Sequence, residues 1–240
     1  MGKSEIFVPM KNLLIILFFG TVLTSCNVKR GSGDIVSRNF DKGSFNKVSI
    51  SGPFKVEIRN GPYRVEVEAD DNLIRYIDVD VSGSTLRVKT TRKNFRNAHL
   101  NVYINAPSIE AIKASMAAEV STSGQISSGS QIVFEASSAA EIRADADAPR
   151  VNARASSGAE IELRGRTREL EVSSSSGSDI NAMTLSSETA SASASSGSEA
   201  AVHASRLLNA SASSGGTVRY RGGAQVTSSA SSGGEVVRVN

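Results

Sequence analysis

The sequence predicts an all-β protein: a parallel β-helix, or β-solenoid, of about seven rungs with an N-terminal β-strand cap region. The first observation is a seven-residue phrase of the type Ala-Ser-Ser-Gly-Ala-Glu-Ile that recurs through the second half of the chain. Its sixth residue returns every 18 to 22 residues, at Glu119, Glu141, Glu160, Asp179, Glu199, Thr217 and Glu235. A near-constant period of this length is the signature of stacked structural repeats.

The second observation is that small or apolar residues alternate with polar ones on both sides of each phrase, which is the period of a β-strand. The third is a glycine at the fourth position of five phrases, where a turn residue with positive φ is expected. Ala117 and Ala139 take that position in the first two phrases. Each rung is therefore expected to consist of two short strands joined by a Ser-Gly turn.

Stacking the phrases in register predicts two inward-facing columns. The first contains Ile112, Phe134, Ala153, Val172, Ala192, Ala210 and Ser228, and the second contains Val120, Ile142, Ile161, Ile180, Ala200, Val218 and Val236. A further column contains Met116, Ser138, Ser157, Ser176, Ser196, Ser214 and Ser232. If it is interior, its hydroxyls must bond one another or the backbone, because unpaired buried hydroxyls are costly.

The repeats have two other possible interpretations, amphipathic helices and serine-rich disorder. Amphipathic helices are disfavoured because Ser, Thr, Gly and Val are poor helix formers. Serine-rich disorder is the stronger rival, but the apolar columns keep their phase across all the copies, which a disordered linker has no reason to do.

The N-terminal region predicts export and lipidation. A lysine and an apolar run from Leu13 to Phe19 precede Cys26, which is typical of a signal peptide and too short for a membrane span. Leu23-Thr24-Ser25-Cys26 resembles the lipobox of bacterial lipoproteins, whose cysteine is acylated after cleavage. We therefore expect a signal peptide over residues 1–25 with its true start at Met10, lipidation of Cys26, and a flexible tether over residues 26–33.

Residues 34–106 have the composition of ordinary strands and are expected to cap the first open edge of a solenoid that occupies residues 107–240. The expected strands are Phe45–Ile50, Phe54–Arg59, Tyr63–Ala69, Ile77–Val81, Leu86–Thr90 and Leu100–Ile104, with one helical turn over Asp71–Tyr76. The stretch Val48–Lys89, followed by Ser-Gly-Ala-Glu repeats, resembles the head GIN-domain family of putative auto-transporter adhesins, common among Bacteroidetes lipoproteins. That resemblance spans residues 40–240. It implies export and a β-helix-like fold, and it supplies no catalytic residues.

The residues themselves offer little catalytic chemistry. His99 and His203 are the only histidines, one in each half, and no serine lies in a nucleophile-elbow context. Arg164, Arg166 and Arg168 form a basic edge with acidic residues on both sides of it in the sequence, and they are interpreted as a solvated mixed-charge loop.

One group of residues suggests binding. Stacked about 4.8 Å apart, the marker acids Glu119, Glu141, Glu160, Asp179 and Glu199 form a line of like charges that raises carboxylate pKa values unless cations intervene. This strip is the candidate ligand or cation site, and weak calcium binding is the expected ion chemistry. The alternative is that these side chains fan outward at a turn and stay solvated.

We therefore expect a non-catalytic lipoprotein of the cell envelope, adhesin-like or structural, that presents a ladder of serine and acidic side chains. The alternative is a carbohydrate-active β-helix enzyme, a polysaccharide lyase or hydrolase, which the lack of aromatic residues on the ladder disfavours. The expected partners are the outer membrane through the lipid, on its periplasmic face or at the cell surface, and a glycan or envelope protein. The sequence is compatible with a homo-oligomer, and a formal net charge of +3 gives no basis for a nucleic-acid partner.

Overall fold

The computed structural model describes residues 28–91 and 94–239, so the predicted signal peptide and Cys26 lie outside the described residues. The strands of the N-terminal region are β1 (Lys29–Arg30), β2 (Ile35–Phe40), β3 (Lys47–Ser51), β4 (Lys55–Asn60), β5 (Arg64–Asp70), β6 (Ile77–Ser82), β7 (Thr85–Thr90), β8 (Phe95–Arg96) and β9 (Leu100–Ala106). The remaining strands are β10 (Ala111–Ser115), β11 (Glu119–Ser127), β12 (Gln131–Ser137), β13 (Glu141–Ser156), β14 (Glu160–Ser175), β15 (Asp179–Ser195), β16 (Glu199–Ser213), β17 (Thr217–Arg221), β18 (Gln225–Ala230) and β19 (Glu235–Arg238). A 3-10 turn covers Ile74–Tyr76. No helix in the described part of the chain is long and apolar enough to cross a membrane.

The predicted β-solenoid is confirmed. Strands that enter a Ser-Gly corner stack in parallel as one sheet, which we call the front sheet: β7, β3, β10, β12, the second halves of β13 to β16, and β18. Strands that leave a corner stack as the back sheet: β9, β4, β11, the first halves of β13 to β16, β17 and β19. The solenoid has about six turns, slightly fewer than the seven predicted rungs. The repeated phrases mark corners, and seven corners delimit six full circuits.

Each corner is a two-residue turn with both residues in the left-handed region. Their φ values lie between +49° and +76°, from Met116 and Ala117 in the first corner to Ser232 and Gly233 in the last. In the corners that end at Ala140, Gly216 and Gly234, this last residue donates its N–H to the carbonyl of the residue before the pair, as Gly216 does to Ser213 at 2.9 Å, which is the pattern of a type I′ turn. The second turn residue also donates its N–H to the corner of the next rung, for instance Gly158 to Ser176 at 3.2 Å. The corners are therefore stacked and bonded along the axis.

The serine column of the corners is not interior. Met116, Ser138, Ser157, Ser176, Ser196, Ser214 and Ser232 are all exposed, because each occupies the first left-handed position of a corner, where the side chain points away from the core. The buried serines are others. Ser174 and Ser178 are 2 % and 3 % exposed and share a hydroxyl–hydroxyl bond of 2.8 Å, and the Ser198 hydroxyl donates to the Ser174 carbonyl at 2.8 Å. Every buried hydroxyl of this group thus has a partner, as burial requires.

Both predicted inward columns are confirmed. Phe134 and Ala153, and likewise Ile142 and Ile161, are partners in the parallel register, and the columns stay buried until the last rung. Val48 and Leu86 extend the first column, and Val56 and Val102 extend the second. Alanine fills much of the core at the C-terminal rungs, for instance at Ala192, Ala200 and Ala210.

The six strands predicted in the N-terminal region are present within a few residues of their expected bounds, and β2 was missed. The predicted boundary between residues 106 and 107 does not separate a cap from a solenoid. β3 and β4 lie between the rung of β7 and β9 and the rung of β10 and β11, so they already belong to the stack. The cap itself consists of the antiparallel strands β5 and β2 beyond β9, and β6 beyond β7.

The part of the predicted tether that the structure describes is not free. Lys29–Arg30 pair with Phe95–Arg96, and the Gly33 N–H donates to the Asp70 carboxylate at 2.8 Å. A Cβ on Gly31 would lie 2.5 Å from that carboxylate, so only glycine allows so close an approach. Asp70 is 1 % exposed and also accepts the His99 N–H at 2.7 Å. One buried carboxylate therefore fastens residues 31–33 to the cap.

Candidate functional site

The marker acids form a continuous column on the back sheet, next to the corners. Glu119, Glu141, Glu160, Asp179 and Glu199 are successive partners in the parallel register, continued by Thr217 and Glu235. On the other side of Glu119 the column continues with Lys55 and Asn101. Neighbouring side chains start one strand spacing apart, about 4.8 Å. The predicted line of carboxylates is therefore present.

Basic residues form ion pairs with the carboxylates at both ends of this line and so reduce the repulsion between like charges there. Lys55 lies 3.9 Å from Glu119, Arg143 contacts Glu141, and the Arg219 Nε lies 3.0 Å from Glu199. Glu160 and Asp179, in the middle, have no ion-pair partner among the described residues. These arginines do not follow from the phase of the marker residues, because they belong to the adjacent outward column, two residues after the marker position.

The structure raises the pKa of the Asp179 carboxyl above its ordinary value of 3.8. The main cause is partial desolvation at the corner, followed by the negative charges of Glu199 and Glu160; Arg219 opposes the shift. A raised pKa means that the folded chain holds this proton more tightly than the unfolded chain does. The ionised form therefore weakens the fold at neutral pH.

We expect Asp179→Asn to raise the melting temperature at pH 7, by about 1–3 °C if the relieved repulsion is worth up to about 1 kcal/mol. In the wild type, protonation of Asp179 stabilises the fold, and this contribution is lost as the pH rises from 3.8 through the raised pKa. The difference in melting temperature between Asp179→Asn and the wild type should therefore shrink as the pH falls from 7 towards 3.8. Thermal melts of both proteins from pH 3 to pH 7 measure this. Glu119→Gln is the matched control, since its carboxylate faces Lys55 and its removal should give no stabilisation. Equal melting temperatures of wild type and Asp179→Asn at pH 7 would contradict the repulsion.

Within the described residues, no three His, Cys, Asp or Glu side chains converge closely enough to hold a metal ion. The acids of the column follow one another in a line, so each cation position would receive carboxylates from two rungs. Weak calcium binding therefore stays a prediction for the Glu160 and Asp179 pair.

The front sheet has a second outward surface that the sequence analysis did not single out. The residue before each repeated phrase forms a column of Lys113, Glu135, Arg154, Ser173, Ser193, Ser211 and Ser229. Beside it runs a column of Ser51, Ser115, Ser137, Ser156, Ser175, Ser195 and Ser213. We call these two columns together the serine surface. The phase of the repeated phrase is the signal that could have found it.

The charged end of the serine surface is concave. A trough of about 540 Å³ lies over β3, β10, β12 and the second halves of β13 and β14. Lys113 and Glu135 pair across its wall at 2.7 Å, and Arg154 lies 3.4 Å from Glu171. Six serines, three alanines and Ile50 line the remainder. The trough therefore offers hydroxyls, ammonium, guanidinium and carboxylate groups along one open channel, a set suited to hydrogen bonding a polar polymer.

The other sequence candidates are dispersed. His99 lies in the cap, 3.7 Å from Glu68, whereas His203 lies in β16, where burial and Arg221 lower its pKa. Arg164 pairs with Glu162 at 2.7 Å and Arg166 with Asp147 at 2.6 Å, so the basic edge is a surface of mixed charge. Arg168 has no ion pair among the described residues.

A shallow concavity of about 270 Å³ lies beside Glu119, with Tyr103 in its lining. Both of its carboxylates lie beside basic groups, Glu119 near Lys55 and Glu57 at 2.7 Å from Arg59. Each carboxylate of this concavity therefore lies in an ion pair with a basic side chain.

Comparison with known families agrees with this architecture. The model of the family described as putative auto-transporter adhesin, head GIN domain, matches residues 44–224. The chain belongs to this family. The resemblance found in Val48–Lys89 is thereby confirmed, and the match covers strands of the cap as well as most of the head GIN-domain solenoid.

Solved structures with the same fold share little sequence with this chain. A putative adhesin from Bacteroides fragilis superimposes with a TM-score of 0.80 at 16 % identity, over 87 % of this chain and 98 % of the other. A putative adhesin from Parabacteroides distasonis gives 0.73 at 19 %, over 89 % and 100 %. A putative lipid binding protein from Parabacteroides distasonis gives 0.69 at 17 %, over 89 % and 100 %. No curated protein matches the chain.

Proposed function

We propose that this protein is a non-catalytic, adhesin-like binding module of the cell envelope that holds an extended glycan on its front sheet. The observation that carries the proposal is the serine surface with its charged trough. Membership of the head GIN-domain adhesin family supports the adhesin-like role at the envelope.

The geometry of the front sheet favours an extended polar ligand. Hydroxyls repeat about every 4.8 Å along the solenoid axis, and successive outward residues of one strand lie about 7 Å apart. Each serine hydroxyl offers one donor and two acceptor lone pairs, so the two columns match a chain of sugar hydroxyls without needing a deep pocket. Lys113, Glu135 and Arg154 add charged groups, whose hydrogen bonds are the stronger ones. An envelope protein with a polar edge is the other partner that this surface could hold.

Blocking the middle of the trough tests this proposal. Ser156→Trp replaces an outward serine of the trough by a bulky ring, and we expect it to reduce binding at least tenfold on an array of bacterial envelope glycans. Asn181→Trp is the matched control, because Asn181 faces outward on the back sheet and its replacement should leave binding unchanged. Equal binding by both variants, or no glycan retained by the wild type, would contradict glycan binding at the trough. Retention of an envelope protein instead, lost in Ser156→Trp, would identify the other partner.

The proposal includes anchoring of the chain to the outer membrane by lipid on Cys26, facing the periplasm or the cell surface. Its support is the lipobox-like Leu23–Cys26 motif. We expect Cys26→Ala to abolish incorporation of an alkyne-tagged fatty acid and to release the protein from the outer-membrane fraction. Label that persists in the variant would argue against this anchor, whatever the glycan result.

Absence of catalysis is also part of the proposal, against the alternative of a polysaccharide lyase or hydrolase. The carboxylates beside the small concavity, Glu119 and Glu57, each already have a basic partner, Lys55 and Arg59. We expect no new reducing ends or unsaturated sugars after prolonged incubation with the glycans that bind. Product formation that is lost in Glu119→Gln would establish the enzyme alternative.

A further inference from the structure

The last described rung, formed by β18 and β19, has no strand paired to its outer edge within the described residues. Among the described residues β18 pairs only with β16, and β19 only with β17. The inward positions Leu208, Ala210 and Ala212 of the preceding rung are at most 4 % exposed. Their partners in the last rung, Val226, Ser228 and Ala230, are half-buried or exposed. Both the backbone edge and the end of the core are therefore uncovered.

One of the two strands at this edge, β18, lacks the charges and proline that usually prevent edge pairing. β18 reads Gln-Val-Thr-Ser-Ser-Ala, six residues with no charge and no proline. Charged residues and proline are the common protections of exposed edge strands. The opposite end has charges on its outer strands, with Asp78 and Asp80 on β6 and Arg38 on β2. The two ends of the solenoid therefore differ in their readiness to pair.

We propose that the open end binds the open end of a second copy of this chain, so that two solenoids join tail to tail about a twofold axis. An axis normal to the sheets lets β18 and β19 each pair antiparallel with its own twin and joins the two cores. β18 brings no like charges together in such a pair. β19 has Glu235 at one end and Arg238 at the other, so antiparallel pairing brings Glu235 to the end of the strand that carries the partner's Arg238.

The same features limit the assembly to a dimer. Pairing of the open end with the other end of a second copy would bring β18 or β19 against a cap of antiparallel, charged strands. A twofold contact uses the same surface on both copies and is closed once two have joined, whereas a head-to-tail contact continues into a filament. The inference goes beyond the proposed function, because it uses the end of the solenoid and leaves the front sheet free.

The mass of the full chain in solution tests this proposal. We expect sedimentation equilibrium in density-matched detergent to give twice the mass of one chain at high concentration and the mass of one chain on dilution. Ser228→Lys places a charge at an inward position of the open end and should give a monomer at every concentration. Ser229→Lys is the matched control, since the adjacent side chain faces outward, and it should dimerise like the wild type.

A second measurement needs no variant. Amide hydrogen exchange of β18 should slow at concentrations where the dimer forms, while exchange of β6 at the capped end should not change. If Ser228→Lys fails to fold, this measurement on the wild type still tests the proposal. A wild type that is monomeric throughout would overturn the proposal. So would equal masses of the two variants, or assemblies larger than a dimer.

Discussion

Removal of one whole period, Glu160–Ser178, should leave a folded protein. The deletion joins Ala159 to Asp179, and Asp179 occupies the same register position as Glu160. All inward columns keep their phase, and each rung of a solenoid contacts only its neighbours. We expect a cooperative thermal transition and an unchanged β-type circular dichroism spectrum, with the melting temperature lowered only modestly.

Removal of about half a period, Glu160–Glu169, should abolish the fold although fewer residues are lost. Leu170 would take the outward position of Glu160, and Glu171 would take the buried position of Ile161, because a shift of one residue exchanges the two faces of a strand. The next corner would also come on the wrong side of the stack. Circular dichroism melts of the two deletions measure the difference. Equal behaviour of the two would contradict the register described above.

Replacement of Asp70 by alanine should strongly destabilise the cap. Its carboxylate accepts the N–H groups of Gly33 and His99 at 2.8 and 2.7 Å, in a position that is 1 % exposed. A buried donor left without its partner costs about 1–3 kcal/mol. We expect Asp70→Ala to lose about 3 kcal/mol, which lowers the melting temperature by roughly 10 °C.

The adjacent Asp71 provides a matched control. Its carboxylate is exposed and accepts the Ser32 hydroxyl at 2.5 Å, so Asp71→Ala should cost less than about 1 kcal/mol. Limited proteolysis gives a second readout. Asp70→Ala should become sensitive to cleavage near Arg30, whereas Asp71→Ala should resist like the wild type. If the two variants melt at the same temperature, Asp70 does not hold this segment.

The repeated phrase made most of the fold predictable. A fixed period forces residues such as Ile142 and Ile161 into one column, and strand alternation then decides which columns face inward. The side-chain direction at the corners was not predictable in this way. Ser157 and Gly158 are both left-handed, and two consecutive left-handed residues interrupt the alternation of a strand.

The pairing of the N-terminal strands could not be predicted from a repeat. β3 pairs with β7 and β10, which lie far apart in the sequence, and no period connects them. The same distinction between predictable and unpredictable features applies to the candidate site. The acids of the column share a phase and were found, whereas the pairing of Glu199 with Arg219 depends on side-chain reach between rungs. Lys113, Glu135 and Arg154 also share one phase of the repeat. Because their charges differ, the sequence does not show them as a column of one residue type.

Because Asp70 fastens residues 31–33 to the cap, a lipid at Cys26 would determine how the molecule is oriented at the membrane. Only Asn27 and Val28 lie between Cys26 and Lys29, a reach of about 10 Å even when fully extended, so a lipid at Cys26 would keep the capped end close to the bilayer. The nine stacked strand positions from Asn101 to Glu235 then place the last rung roughly 40 Å farther along the axis. A tail-to-tail pair would have its two anchors at opposite extremes, a geometry that bridges two facing membranes and does not fit two neighbours in one.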